Sequence, residues 1–229
     1  MIELDGPMPA WESGQHVAIT GQTGSGKTTA LRSLIEQRPT TGLIVFDTKM
    51  DPAFSDAGTV IDHPEFEREW SNDRVDEHPV LVFRSARYLE PDALDDILMR
   101  CHETLRNVTL LLDEGYMFHD RGQAGPGLMA LLTRGRSRGQ TVMIGSQRPV
   151  WVSRFCFTEA THILFMRLRH PDDRKTVALC AGFPELSETV FPKFQGVWIH
   201  PDGKSSFTVV KEDSVQSPEM VPEKSIRFL

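Results

Sequence analysis

The stretch His16-Val-Ala-Ile-Thr-Gly21-Gln22-Thr23-Gly24-Ser25-Gly26-Lys27-Thr28-Thr29 carries the strongest signal in the chain. A short apolar run leads into a glycine-rich loop and then into a helical segment extending to about Gln37, before Pro39. Gly21 to Thr28 matches Gly-x4-Gly-Lys-Ser/Thr in the strand–loop–helix setting that a phosphate-binding loop requires. Gly21, Gly24 and Gly26 let the backbone curl, so that successive N–H groups, including those of Thr23 and Ser25, converge on phosphate oxygens. The helix N-terminus, at Thr28 and Thr29, adds positive potential. Lys27 is suited to the β- and γ-phosphates and the Thr28 hydroxyl to Mg²⁺, so ATP with Mg²⁺ is the expected ligand.

Outward from this loop, strands and helices alternate. Apolar runs at 42–47, 79–85, 108–114, 141–147 and 162–168 have the length of buried strands. Helices are expected from Pro91 to about Arg106, over 127–138 and over 171–182. Asp92, Asp95 and Asp96 read as carboxylates favouring the dipole of their own helix. Two runs around Pro201-Asp202-Gly203-Lys204 read as a C-terminal hairpin. The fold class is therefore α/β, with a mostly parallel central sheet flanked by helices on both faces. Residues 1–210 are expected to form one motor domain, 64–70 an amphipathic surface helix, and 211–229 a polar tail.

Composition excludes several classes. The 229 residues contain no run of about 18 apolar residues and no basic-then-apolar leader, so a membrane span and a signal peptide are not expected. Three separated cysteines argue against a disulfide scaffold and favour a reducing, cytoplasmic setting. The net charge is −7, yet residues 121–158 hold six arginines and no Asp, Glu or Lys. Arginine is the side chain suited to bidentate phosphate contacts, and Arg121, Arg148 and Arg154 are candidates for gripping DNA. The eight histidines show no metal-ligand spacing and read as structural. Trp11 could stack on adenine, although a packing role suits it better.

Asp113-Glu114 ends the most apolar strand, 108–114, which is expected beside the phosphate strand. There Asp113 would organise Mg²⁺ and Glu114 would orient or deprotonate an attacking water. Gln147 ends a neighbouring strand, on the side where open α/β sheets bind ligands, and could sense the γ-phosphate.

With these motifs in this order and spacing, residues 15–180 resemble the FtsK–HerA superfamily of DNA-translocating ATPases, with a RecA/FtsK-like fold. The resemblance implies that Lys27, Glu114 and Gln147 act in catalysis and that Thr28 and Asp113 hold the metal. It further implies that Arg136 is an arginine finger supplied to a neighbouring subunit, with Arg134 and Arg138 as alternatives. Ser146 replaces the usual Thr before the glutamine and keeps the hydroxyl. No membrane segment, DNA-reading domain or nuclease is evident, so a bare motor most like viral and phage packaging ATPases is expected. Its partners would be double-stranded DNA read without sequence specificity, further copies in a pentameric or hexameric ring, and a capsid or portal component. It would work in the cytoplasm, that of the host for a virus. A conjugative or plasmid-transfer ATPase is the nearest alternative, followed by a nucleotide kinase or a non-motor nucleotide switch.

Overall fold

A computed structural model of the chain describes residues 2–4, 11–54, 58–62, 80–85, 89–120 and 122–210. The strands are β1 (Ile2–Leu4), β2 (Val17–Thr20), β3 (Gly42–Phe46), β4 (Thr59–Asp62), β5 (Val80–Arg84) and β6 (Val108–Leu112). They continue as β7 (His119–Asp120), β8 (Gln123–Ala124), β9 (Thr141–Ser146), β10 (His162–Met166), β11 (Gln195–His200) and β12 (Gly203–Val209). The helices are α1 (Lys27–Glu36), α2 (Pro91–Thr104), α3 (Pro126–Arg134), α4 (Phe155–Thr158) and α5 (Pro171–Cys180).

Ten strands form one sheet in the order β1-β12-β11-β10-β2-β9-β6-β3-β5-β4. From β10 to β4 every pairing is parallel, so these strands end on one side of the sheet. The expected hairpin is β11–β12, which joins β10 antiparallel and receives β1 at the edge. The short ribbon β7–β8 stands apart from the main sheet.

Alternate residues of each central strand enter two separate apolar clusters, which is why the strands read as unbroken apolar runs. Val17, Leu43, Val45, Leu111, Met143 and Leu164 pack against Leu31 and Leu34 of α1, with Trp11 at the margin. Ala18, Ile44, Leu110, Leu112, Ile144 and Ile163 face Leu98 of α2, Leu131 of α3 and Val177 of α5. The packing role is thus the one Trp11 has.

Three expectations need correction. The strand ending at the acid pair, β6, is not beside the phosphate strand β2, because β9 runs between them and pairs with both. The helix expected over 127–138 is α-helical only to Arg134, and Gly135–Arg138 tightens into a 3₁₀ turn. Asp95 does not serve its own helix. It is buried, and its two oxygens accept the N–H groups of Gly127 (2.7 Å) and Leu128 (2.8 Å), capping α3 from α2. The segments 64–70 and 211–229, and Arg121, lie outside the described residues.

Buried polar side chains fasten the layers together. Gln140 donates to the Leu105 and Cys101 carbonyls at the end of α2 and holds His102 Nδ1 at 2.9 Å. His16 Nδ1 accepts the Val142 N–H at 3.0 Å, so Nε2 must carry the proton it gives to the Leu132 carbonyl. Protonating Nδ1 would set two N–H groups against each other. Burial and Arg136 both disfavour that charge, and the His16 pKa falls to about 4.

Unfolded His16 takes its proton near pH 6.5 and the folded ring only near 4, so acidification favours unfolding across that interval. Urea unfolding should show full stability above about pH 6.5 and a decline towards pH 4. In His16→Gln that pH slope should flatten by about one proton.

Candidate active site

The loop between β2 and α1 leaves the sheet where two strand ends hold it. Gly21 N–H donates to the Ser146 carbonyl (3.0 Å) and Gln22 N–H to the Arg167 carbonyl (2.9 Å). Gly24 (φ +75°) and Gly26 (φ +101°) have the left-handed backbone that side chains disfavour, and Gly26 caps α1. A side chain at Gly21 would collide with the Ser25 hydroxyl. No side chain caps α1 and no acid lies in its first turn, so its N–H groups face the cleft uncompensated.

The cleft has a volume of about 320 Å³ and is lined by Thr23, Gly24, Gly26, Lys27, Thr28 and Thr29 of the loop. Gln22, Asp113, Gln147, Lys49, Asp51, Lys193 and Phe194 complete the wall. Lys27 is buried, its Nζ 3.4 Å from the Asp113 carbonyl and 3.8 Å from Asp113 Oδ1. Burial lowers the Lys27 pKa, against the pull of Asp113 and Glu114. Burial likewise pushes the Asp113 carboxyl up, with Lys27 opposing. Asp113 Oδ1 is buried and accepts no hydrogen bond, leaving a hard oxygen donor aimed at the loop.

Glu114 is 1% exposed and engaged at both oxygens. Oε1 accepts the Gln147 N–H at 3.1 Å and Oε2 pairs with the Lys49 ammonium. Gln147 also accepts the Thr23 hydroxyl at 2.6 Å, so the end of β9 joins the phosphate loop to the acid. This close passage needs Gly145, where a Cβ would lie 2.5 Å from the Asp113 carbonyl oxygen and 3.4 Å from Lys27 Nζ.

The arginines separate by position. Arg138 is held by the His102 (3.0 Å) and Glu103 (2.9 Å) carbonyls at the end of α2. Arg134 and Arg136 are exposed and have no ion pair among the described residues. Arg136 precedes β9, whereas Gln147 follows it; six strand residues put roughly 20 Å between these ends. Arg136 therefore cannot reach its own cleft. Arg148 is engaged, with Nε 2.9 Å from Asp173 Oδ2 and its guanidinium 4.5 Å over the Trp151 ring. Arg154 is exposed.

Lys49, Asp51, Lys193 and Phe194 escape sequence reasoning. Lys49 and Asp51 follow β3 on the side where ligands bind, a signal that was available. Lys193 and Phe194 reach the cleft only because the antiparallel edge folds back onto it. Among the described residues, no cluster of His, Cys, Asp and Glu suits a metal ion, and no helix is long and apolar enough to cross a membrane.

The chain is similar to several known proteins. The ABC transporter family profile matches residues 9–114, the span containing the phosphate loop and the acid pair. The DNA packaging ATPase P9 of Enterobacteria phage PRD1 is 29% identical over 165 residues, covering 71% of this chain and 68% of P9. The genome packaging NTPase B204 of Sulfolobus turreted icosahedral virus 2, in complex with ATP-gammaS, superposes with a TM-score of 0.65 at 14% identity. That match covers 86% of this chain and 98% of B204. VirB4 of Thermoanaerobacter pseudethanolicus gives a TM-score of 0.59 at 10% identity, covering 86% and 89%. The likeness to P9 is one of sequence, and those to B204 and VirB4 are of fold.

Gly145→Ala should force β9 away from Asp113 and Lys27. Nucleotide turnover is expected to fall about 100-fold, as for a catalytic group displaced by about 1 Å. Circular dichroism of the variant should remain that of the parent.

Proposed function

We propose that this chain, a P-loop ATPase of the FtsK–HerA kind, hydrolyses ATP to drive DNA into a virus particle as one protomer of a homo-oligomeric ring. One observation carries the reading. Lys27, Asp113 and Gln147 line one cleft, with Glu114 buried directly behind Gln147 and Lys49, while Arg136 stands exposed at the far end of β9. No arginine is among the described residues lining this cleft, and a neighbouring copy can supply one.

In this reading the N–H groups of the loop and Lys27 hold the triphosphate. Thr28 and Asp113 would hold Mg²⁺, whose oxygen preference fits Asp113 Oδ1, which accepts no hydrogen bond, and the hydroxyl lining the cleft. When bound, Mg²⁺ neutralises charge on the β- and γ-phosphate oxygens. Glu114 orients the attacking water and accepts its proton. Gln147, bonded to Thr23, registers the γ-phosphate and passes the change to Glu114 through its own N–H. Phe194, rather than Trp11, offers an aromatic face at the cleft for the base. Arg136 of the adjacent protomer stabilises the transferring phosphoryl group, a contribution typically worth about 10³–10⁵ in rate. Arg134 is the alternative, since Arg138 is engaged elsewhere.

DNA would be held through its phosphates without reading sequence, as a motor requires. Of the two described gripping candidates, Arg154 is exposed and Arg148 is paired with Asp173. The sequence likeness to P9 supports packaging over conjugative transfer, for which likeness of fold alone speaks, as to the conjugative coupling protein TrwB. The same reading takes residues 1–210 as one motor unit with 211–229 as its tail, at work in the host cytoplasm beside a capsid component.

Lys27→Ala and Arg136→Ala proteins should each be nearly inactive, and mixing them should restore part of the ATPase rate. Absence of restoration in assembled rings would rule out the shared site. Duplex DNA should raise turnover of the unmodified protein at low salt and lose that effect as salt rises. A rate indifferent to DNA would point to another cargo.

A further inference from the structure

We propose that Lys49 is a positioning residue that holds Glu114 in reserve until a γ-phosphate draws the lysine away. The proposal rests on the reading above, in which Glu114 acts on the attacking water. Glu114 Oε2 lies under the full positive charge of Lys49, and Oε1 is occupied by the Gln147 N–H. With both oxygens engaged, the carboxylate presents neither of them to a water.

Lys49 is built to change partners. Its side chain is 35% exposed while that of Glu114 is 1% exposed, so the lysine can swing and the acid cannot. It lines the same cleft as Lys27 and Thr28, where phosphate is held in the proposed reading. The turn carrying it is braced on either side. Asp47 Oδ1 accepts the Asp51 N–H at 2.9 Å, and Arg84 donates to Asp47 Oδ2 (2.8 Å) and to the Asp51 carbonyl (2.8 Å). Movement is thereby confined to the side chain.

A terminal phosphate brings about two negative charges and three acceptor oxygens, against one charge on Glu114. It takes Lys49, and Oε2 is left open to the water. ADP has no γ-phosphate and leaves the Lys49–Glu114 pair closed. Departure of cleaved phosphate returns the lysine to the acid, so each turnover ends with the site reset.

The test is binding, by calorimetric titration with AMPPCP and with ADP in the presence of Mg²⁺. In Glu114→Gln the lysine no longer has to leave a carboxylate. AMPPCP should bind about tenfold tighter than to the unmodified protein, the scale of one charge-assisted hydrogen bond, with ADP unchanged. Lys49→Met should weaken AMPPCP about tenfold and leave ADP unchanged, whereas Lys49→Arg should stay near the parent. In the double variant the gain from Glu114→Gln should vanish, the signature of a direct coupling. A gain that persists without Lys49, or parallel shifts for AMPPCP and ADP, would overturn the assignment. Glu114→Gln tests the first part even if Lys49→Met folds poorly. These ratios without DNA-dependent turnover would refute the motor and leave the lysine's role standing.

Discussion

Two lysines and two acids, Lys27, Lys49, Asp113 and Glu114, meet at the carboxyl ends of the parallel strands, three of them almost wholly removed from water. Charges in such a place persist only when they compensate one another, and deleting one member costs about 3–5 kcal/mol by stranding its partner. The opposing shifts of Lys27 and Asp113 express the same burden, burial disfavouring both charges and each partner sustaining the other. The balance is electrically even as it stands. A triphosphate entering the cleft upsets it, and the uncapped end of α1 supplies the additional positive potential that makes entry favourable.

Strand β9 organises this arrangement. By entering between β2 and β6 it places Gln147 midway between the phosphate loop and the acid, in contact with both. Gly145 permits the close approach, and at the other end of the strand the chain emerges beside Arg136. One short segment therefore spans from the protomer's own cleft to the surface it is proposed to present to the next copy.

Much of this was legible in the sequence, for local reasons. The phosphate loop announces itself because its conformation depends on glycines within a few residues of one another, and the helix after it follows directly. Apolar runs betray strands buried on both faces. Their order in the sheet is less legible, since it depends on which helix crosses where; the sequence places Asp113 and Gln147 at strand ends but not β9 between β2 and β6. Asp95 shows a second blind spot. A carboxylate in a helix's first turn looks like a cap for that helix, and only packing of α2 on α3 reveals the foreign N–H groups it serves. Lys49 shows a third: a lone lysine in a loop resembles any solvated charge until β3 is seen ending beside β6. The resemblance favours Arg136 with Arg134 and Arg138 as alternatives, and the carbonyls at the end of α2 set Arg138 apart from the other two.

Trp151 lies four positions beyond Gln147, 52% exposed, with the Arg148 guanidinium on its face and Tyr116 edge-on at 5.9 Å. Tyr116 itself follows Glu114 by two positions, so both arms of this small aromatic cluster are tethered to the reacting groups. Trp198, by contrast, is fully enclosed, with its indole N–H given to His162. Indole emission responds to water and to nearby charge, so the molecule carries its own optical reporter beside the chemistry and a silent reference in the core.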